Sequence, residues 1–247
     1  MQGTGFDCYA RAHFYETPLI ESLNERKRMT SKNTSPITHP AQTWNNRFAT
    51  EDYVFGTEPN EWLRRQASAW EAASQILCVA DGEGRNSVWL AKQGHHVDAF
   101  DISDVGVAKA RRLAKDCGAS VNFVVAGCDD FAWPQNHYDG VAAIFVQFAD
   151  PELRARLFEN IVQSLKPGGS LILVGYTPKQ LEYGTGGPSL LSHLYTPEML
   201  REAFSELDIQ VLDAYEADLI EGDGHKGRSA VIGLVGTRIM GAPKFLR

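Results

Sequence analysis

The sequence predicts an α/β protein: seven strands in one mostly parallel sheet, finished by a C-terminal antiparallel hairpin, with helices on both faces. Three observations carry this. Short continuous apolar runs recur along the chain, as strands buried on both faces require. Segments with helical spacing alternate with them, which implies a parallel sheet. The last two apolar runs have no helix between them, so they must pair antiparallel at one edge.

The elements follow in order. Residues 1–40 are polar, mixed in charge and end in Ser, Thr, Asn and Pro, the composition of a weakly ordered tail. Met29 within it is a candidate natural start of translation. Thr57-Glu58-Pro59 offers a helix start, with Leu63, Ala67 and Trp70 at helical spacing behind it. Strands are expected at Ile76–Ala80, Val97–Phe100, Val121–Val125, Gly140–Val146 and Leu171–Val174. Between them lie a short helix with Val88, Leu90 and Ala91 closed by Gly94, and one capped by Ser103 and ending at Gly118. Another begins at Asp150-Pro151, and Lys166-Pro167-Gly168-Gly169 turns the chain into the fifth strand. Thr196-Pro197 opens a last helix before Ile209–Ala217 and Ser229–Val235, which flank a Gly-rich loop.

Composition bounds the functions. Of 247 residues, 43% are apolar, enough for one large core, and no composition break interrupts residues 41–238. These form the expected domain, with residues 41–70 as an N-terminal lid and helix and 239–247 as a tail. A formal charge of -7 argues against a nucleic-acid partner. Cys8, Cys78, Cys117 and Cys128 show no CxxC spacing, and no His/Cys/Asp set suggests a metal. No run approaches the roughly 18 apolar residues of a membrane span, and no secretory leader is visible, so the expectation is a cytoplasmic protein, monomeric or homodimeric.

The strongest local signal is the run Ile76 to Asn86, a buried strand entering Gly82-x-Gly84 and then a helix. Glycine permits close backbone approach to a ligand, and open α/β sheets bind ligands beyond the carboxyl ends of their strands. The next strand ends in Asp101, where a carboxylate can accept from both ribose hydroxyls of a nucleoside. Its structural alternative is to cap the following helix with Ser103. Ile102 could cover an adenine face.

Gly82-Glu83-Gly84-Arg85-Asn86 and Asp101-Ile102-Ser103 resemble the motifs of class I S-adenosylmethionine-dependent methyltransferases, which have a Rossmann-like sheet. Trp44-Asn45-Asn46-Arg47-Phe48, Tyr53 to Asn60, Lys166 to Gly169 and Tyr183 to Pro188 narrow the likeness to the tellurite-resistance and thiopurine branch, over about residues 44–237. The resemblance implies a cofactor, S-adenosyl-L-methionine, leaving as S-adenosyl-L-homocysteine. It places Trp44, Phe55, Ala80, Asp81, Gly82, Glu83, Gly84, Arg85, Asn86, Asp101, Ile102, Cys128, Asp129 and Phe145 around that cofactor. Trp44 to Asn60 resembles a lid, whose aromatics (Tyr53 and Phe55) could face a sulfonium cation or pack a helix. Such a lid is expected to be mobile without cofactor.

Three positions depart from the pattern. Cys78 stands where an aspartate is common, Ala80 where a glycine is, and Gly127 where an acidic group often takes the adenine amino group. Asp129, with the Cys128 N–H, is the substitute; the alternative is a solvated turn.

The acceptor end is expected at Tyr53, Gln147, Tyr176, Tyr183 and His225, the last being either an exposed loop histidine or an acceptor contact. The Asn/Asp-Pro-Pro-Tyr motif of amino-group methylators is absent, with Phe145-Val146-Gln147-Phe148 in its place. A small-molecule acceptor follows: a thiol, chalcogen oxyanion, halide or small metabolite. The rival readings are a non-catalytic adenosyl-nucleoside-binding module, a methyltransferase of RNA or protein, and a nicotinamide oxidoreductase. The last needs a third glycine where Ser87 stands.

Overall fold

A computed structural model describes residues 39–241. The expected tails, with Met29 and Cys8, lie outside the described residues save at their inner ends; Pro40, placed in the tail by composition, instead opens helix α1 (Pro40–Phe48). A short helix α2 (Glu61–Gln66) and a 3-10 turn (Ala67–Ala69) follow. Then the β/α alternation begins with β1 (Gln75–Val79), α3 (Arg85–Lys92), β2 (His96–Asp101), α4 (Asp104–Asp116), β3 (Val121–Val125) and β4 (Tyr138–Ile144). It continues through α5 (Pro151–Ser164), β5 (Leu165–Tyr176), the single turn α6 (Gln180–Tyr183), α7 (Pro197–Ala203), β6 (Leu207–Glu221) and β7 (His225–Arg238).

The sheet order is β3-β2-β1-β4-β5-β7-β6. β1 to β5 pair parallel, and β7 runs antiparallel between β5 and β6. Alternate residues of β1 enter the two cores, because side chains on a strand alternate faces. Leu77 and Val79 pack with Leu157, Phe158, Ile161 and Phe204 on one face. Ile76 and Cys78 pack with Trp62, Leu63 and Leu90 on the other. Cys78 thus lies in an apolar core, and burial pushes its thiol pKa well up.

Several expected boundaries are corrected. α2 starts after Asn60, not at Thr57. Asn60 accepts from the Leu63 N–H at 3.1 Å, while its own N–H is held by Asn86 Oδ1 at 2.9 Å. The helix does not reach Trp70, whose ring fits the space beside Gly140 and whose Nε1 donates to the Ser170 carbonyl. β4 stops at Ile144 because Phe145 turns to φ 55°. β5 begins before the Lys166–Gly169 turn, at Leu165 opposite Tyr138, and pairing resumes at Ser170 opposite Gly140, so the turn forms an irregularity inside the strand. The terminal hairpin is far longer than its apolar centre suggested, pairing out to Glu221 and His225 around Gly222-Asp223-Gly224.

Candidate functional site

A cavity of about 520 Å³ opens at the carboxyl ends of β1, β2 and β4. Three elements place its first wall. β1 delivers Ala80, Asp81 and Gly82; Ala80 itself adopts φ 48°, and Gly82 φ 59°. β2 ends on Asp101, whose buried carboxylate accepts the Gly82 N–H and the Ser103 N–H, each at 2.8 Å. Burial raises the Asp101 pKa, and those two N–H donors oppose the rise. Ile102, Gly127 and Cys128 continue the wall.

Asp81 takes a hydrogen bond from the Ser87 hydroxyl. Its pKa is pushed up to about 7, chiefly by burial and then by the neighbouring charge of Asp101. Cys128 is pushed up to about 12 by burial, so its thiol is protonated at neutral pH. Asp129 lies at the rim and is clamped by Arg156 at 3.0 and 2.9 Å, which lowers its pKa.

The opposite wall is aromatic. Trp44 stacks on Phe48 (5.5 Å between centroids) and meets Phe148 edge-on at 6.4 Å. The guanidinium of Arg47 lies 5.4 Å from the Trp44 ring and 5.0 Å from that of Phe55. Phe55, Phe145 and Tyr176 surround His225, at 4.6, 4.3 and 5.8 Å. His225 is 8% exposed and begins β7; the expected loop position is corrected.

The segment joining α1 to α2 forms a strap that reaches the cavity through Phe55, and its first half is fixed by Lys109 and Glu83, which have no cavity surface. Lys109 pairs with Glu83 and donates to the carbonyls of Asp52 (2.7 Å), Thr50 (3.0 Å) and Phe48 (3.4 Å). Glu83 also accepts the Val54 N–H at 2.8 Å. The far end is held by the hairpin tip, where the Gly224 N–H donates to the Val54 carbonyl at 2.9 Å. Arg85 donates to Phe55 O at 3.3 Å and pairs with Glu221 at 2.8 Å.

The expected residues therefore divide. Trp44, Phe55, Ala80, Asp81, Gly82, Arg85, Asn86, Asp101, Ile102, Cys128, Asp129, Phe145, Gln147, Tyr176 and His225 line the cavity. Glu83 and Gly84 do not. Glu83 is turned to Lys109, and Gly84 lets α4 pack closely, since a Cβ there would sit 2.7 Å from Ala110 Cβ. Tyr53, itself on the strap, does not line the cavity; its hydroxyl donates to Lys109 O at 3.2 Å. Tyr183 packs under Lys179 at the outer side of α6. Gln147 lines the cavity, but its amide is spent on backbone: it donates to Tyr176 O and His193 O, at 2.9 and 3.0 Å, and accepts from Tyr176 N. Arg47 and Phe148 were missed as site residues; Phe148 directly follows the expected Gln147, and Arg47 lies one helical turn from Trp44. Among the described residues no cluster of His, Cys, Asp or Glu is arranged to hold a metal.

A family model described as a methyltransferase domain matches residues 76–169, which span β1 through the first part of β5. A demethylmenaquinone methyltransferase of Clavibacter sepedonicus is 31% identical over 138 residues, 55% of each chain. The chain spans about half the length of the curated relatives it matches. Among solved structures, one titled for conversion of a disulfide bond into a thioacetal group during echinomycin biosynthesis superposes with a TM-score of 0.69 at 14% identity, covering 83% of this chain and 93% of that one. The N-methyltransferase NodS of Bradyrhizobium japonicum, in complex with S-adenosyl-L-homocysteine, gives 0.61 at 15%, covering 80% and 97%. At such identities the likeness is of fold alone. The fold is that of class I methyltransferases, and the narrower tellurite-resistance and thiopurine branch is not distinguished by these relatives.

Proposed function

We propose that this chain, whose residues 76–169 form a methyltransferase domain, is an S-adenosylmethionine-dependent methyltransferase of a small, planar, largely apolar acceptor. The observation that carries the reading is Asp101 at the mouth of β2. Each of its oxygens accepts one backbone N–H and keeps lone-pair capacity for a ribose hydroxyl.

The cavity suits the rest of the cofactor. Beside Asp101, Ile102 and Gly127 line the cavity; Gly127 adds no side chain to that wall, where a Cβ would stand 3.0 Å from Asp130 Oδ2 and 3.5 Å from Ile102 Cδ1. Asp81, poised at about 7, would be drawn to its ionised form by an ammonium group. The aromatic wall suits a desolvated cation, which aromatic faces attract by about 2 kcal/mol. When bound, S-adenosylmethionine supplies a methyl group on a positively charged sulfur, with a neutral thioether to leave.

The chain's own part is to hold the partners in line and exclude water, the main requirement of a displacement with so good a leaving group. Phe48 of α1 and Phe55 of the strap, in edge contact, and Phe145 with Tyr176 give the cavity two apolar sides. The apolar, aromatic acceptor end favours a ring over a halide or a chalcogen oxyanion. The relatives named for demethylmenaquinone point the same way, toward a quinol-like acceptor.

Calorimetry with S-adenosylhomocysteine tests the reading. Losing two hydrogen bonds to a charged group, at about 1.5–3 kcal/mol each, should weaken binding to Asp101→Ala by a hundredfold or more. Undetectable binding to the wild-type chain, or equal binding to both, would sink it.

A further inference from the structure

Glu221 and His225 face each other across the tip of the terminal hairpin, a pairing that the strand register imposes. The carboxylate is held by two hydrogen bonds and faces the imidazole. Oε1 accepts from Asn60 Nδ2 at 2.8 Å, Oε2 accepts from Arg85 at 2.8 Å, and His225 Nδ1 lies 3.6 Å from Oε2. Burial would raise the Glu221 pKa, but His225 and Arg85 outweigh it and hold the group at about 2. Glu221 is therefore a permanent anion behind the imidazole.

The imidazole is held on its other sides by Phe55, Phe145 and Tyr176. Its Nδ1 is enclosed and has no hydrogen-bond partner among the described residues. With Nδ1 turned to Glu221, Nε2 is the nitrogen left for the cavity that the ring lines. The Tyr176 hydroxyl is likewise buried without a partner among the described residues, on a ring 5.8 Å from that of His225. Phe145 reaches this place only by adopting φ 55°, a conformation that costs a non-glycine residue free energy and is retained where the surroundings impose it.

Resting on the methyltransferase reading above, we propose that His225 is the general base of the reaction, with Glu221 as its positioning residue, and that the acceptor is a phenol- or quinol-class hydroxyl whose oxygen meets the Tyr176 hydroxyl. The acceptor O–H bond breaks and its proton moves to Nε2. The electron pair left on oxygen, shared with the ring, forms the bond to the methyl carbon. The methyl–sulfur bond breaks with its pair retained by sulfur. Histidine then returns the proton to solvent. Where the methylated atom is a ring carbon, that carbon loses its own proton to water afterwards, restoring the aromatic ring.

The charged groups around the imidazole are Glu221 on β6, Arg85 on α3 and Arg47 on α1, and the neutral Tyr176 phenol on β5 is the other titratable group beside it. Burial lowers the His225 pKa, with Arg85 and Arg47 adding to the fall and Glu221 opposing it. The imidazole is thus neutral, and able to accept a proton, at physiological pH.

The first test is independent of turnover. Nitrogen NMR of the full chain saturated with S-adenosylhomocysteine should show His225 neutral at pH 7 with the proton on Nδ1; an Nε2–H tautomer or an imidazolium would overturn the proposal. In Glu221→Gln the Nδ1–H preference should weaken, while in Tyr176→Phe it should persist.

The second test compares hydroquinone with 2,4-dinitrophenol, which is already ionised at neutral pH. His225→Gln should lose about 10²–10⁴-fold in kcat/KM on hydroquinone together with the acid limb of its pH profile, and little on dinitrophenol. Equal losses on both, or no loss, would overturn the proposal. So would a wild-type chain that binds S-adenosylhomocysteine and methylates neither probe, an outcome that leaves the cofactor assignment standing. Failure of the wild-type chain to bind S-adenosylhomocysteine would instead remove the methyltransferase reading itself.

Discussion

Asp81 is the residue at which the site's electrostatics most directly meet folding. Its pKa, raised to about 7, means that the folded chain keeps this proton over a range where the unfolded chain, with an ordinary aspartate at 3.8, has released it. The folded state then binds more protons than the unfolded one, so stability falls as pH rises from about 4 to about 7. Asp81→Asn never ionises. Its stability relative to wild type should be unchanged near pH 4, grow through that window and level off above it. Denaturant melts at pH 4, 6 and 8 measure this, and a difference independent of pH would contradict the assignment. The same scale explains what could be read from residues alone. Asp101 was legible because a strand end followed by Ser103 fixes where its carboxylate goes. Lys109 was not, because its three carbonyl partners lie 57–61 residues earlier and carbonyls leave no mark on a sequence. Glu83 sits inside the glycine turn and looked like a ligand contact, but that turn points it inward to Lys109.

At the level of elements, the hairpin tip and the strap form one unit. Gly222 has φ +64°, and a Cβ there would lie 2.4 Å from the Val54 carbonyl oxygen and 2.6 Å from the Gly56 nitrogen. Gly222→Ala should cost about 1 kcal/mol or more from backbone conformation and contact together, and should speed proteolytic cleavage in residues 49–59. Gly168→Ala supplies the control, since φ is +84° there with open space around it; it should destabilise without exposing the strap. Equal cleavage of both variants would dissociate tip from strap. The strands were legible wherever both faces are buried, because continuous apolar runs such as Ile76–Val79 admit few other readings. The hairpin was legible only at its centre. Beyond Ala217, β6 carries charges on a half-exposed edge and β7 begins among glycines, so the outer pairs, including Glu221 with His225, resembled a loop. Tertiary pairing, which propensity does not report, extended the strands there.

For the molecule as a whole, ligand and fold are coupled, because the cavity walls come from β1, β2, β4, the strap and the hairpin together. A ligand at 100 times its dissociation constant adds about 2.7 kcal/mol. For a chain of this size S-adenosylhomocysteine should raise the melting midpoint by roughly 5–11 °C, whereas NAD should not. A shift of the same size with NAD would place the protein among nicotinamide-binding sheets. The parallel core and the antiparallel hairpin at its edge followed from the alternation of elements; the strand order and the volume beside Trp44, Phe48 and Phe55 did not, since they depend on contacts between distant segments. The anchoring of the strap by Lys109 bears on how such a protein can diversify. On the strap the hydrogen bonds of this ammonium go to main-chain oxygens, its carboxylate partner being Glu83 in the turn after β1, so they place no demand on the identities of Thr50 or Asp52. Mutation can therefore change Thr50 or Asp52, which lie outside the cavity lining, while their tether persists, and a lineage carrying this tether could reshape the strap around Phe55 without first rebuilding its architecture.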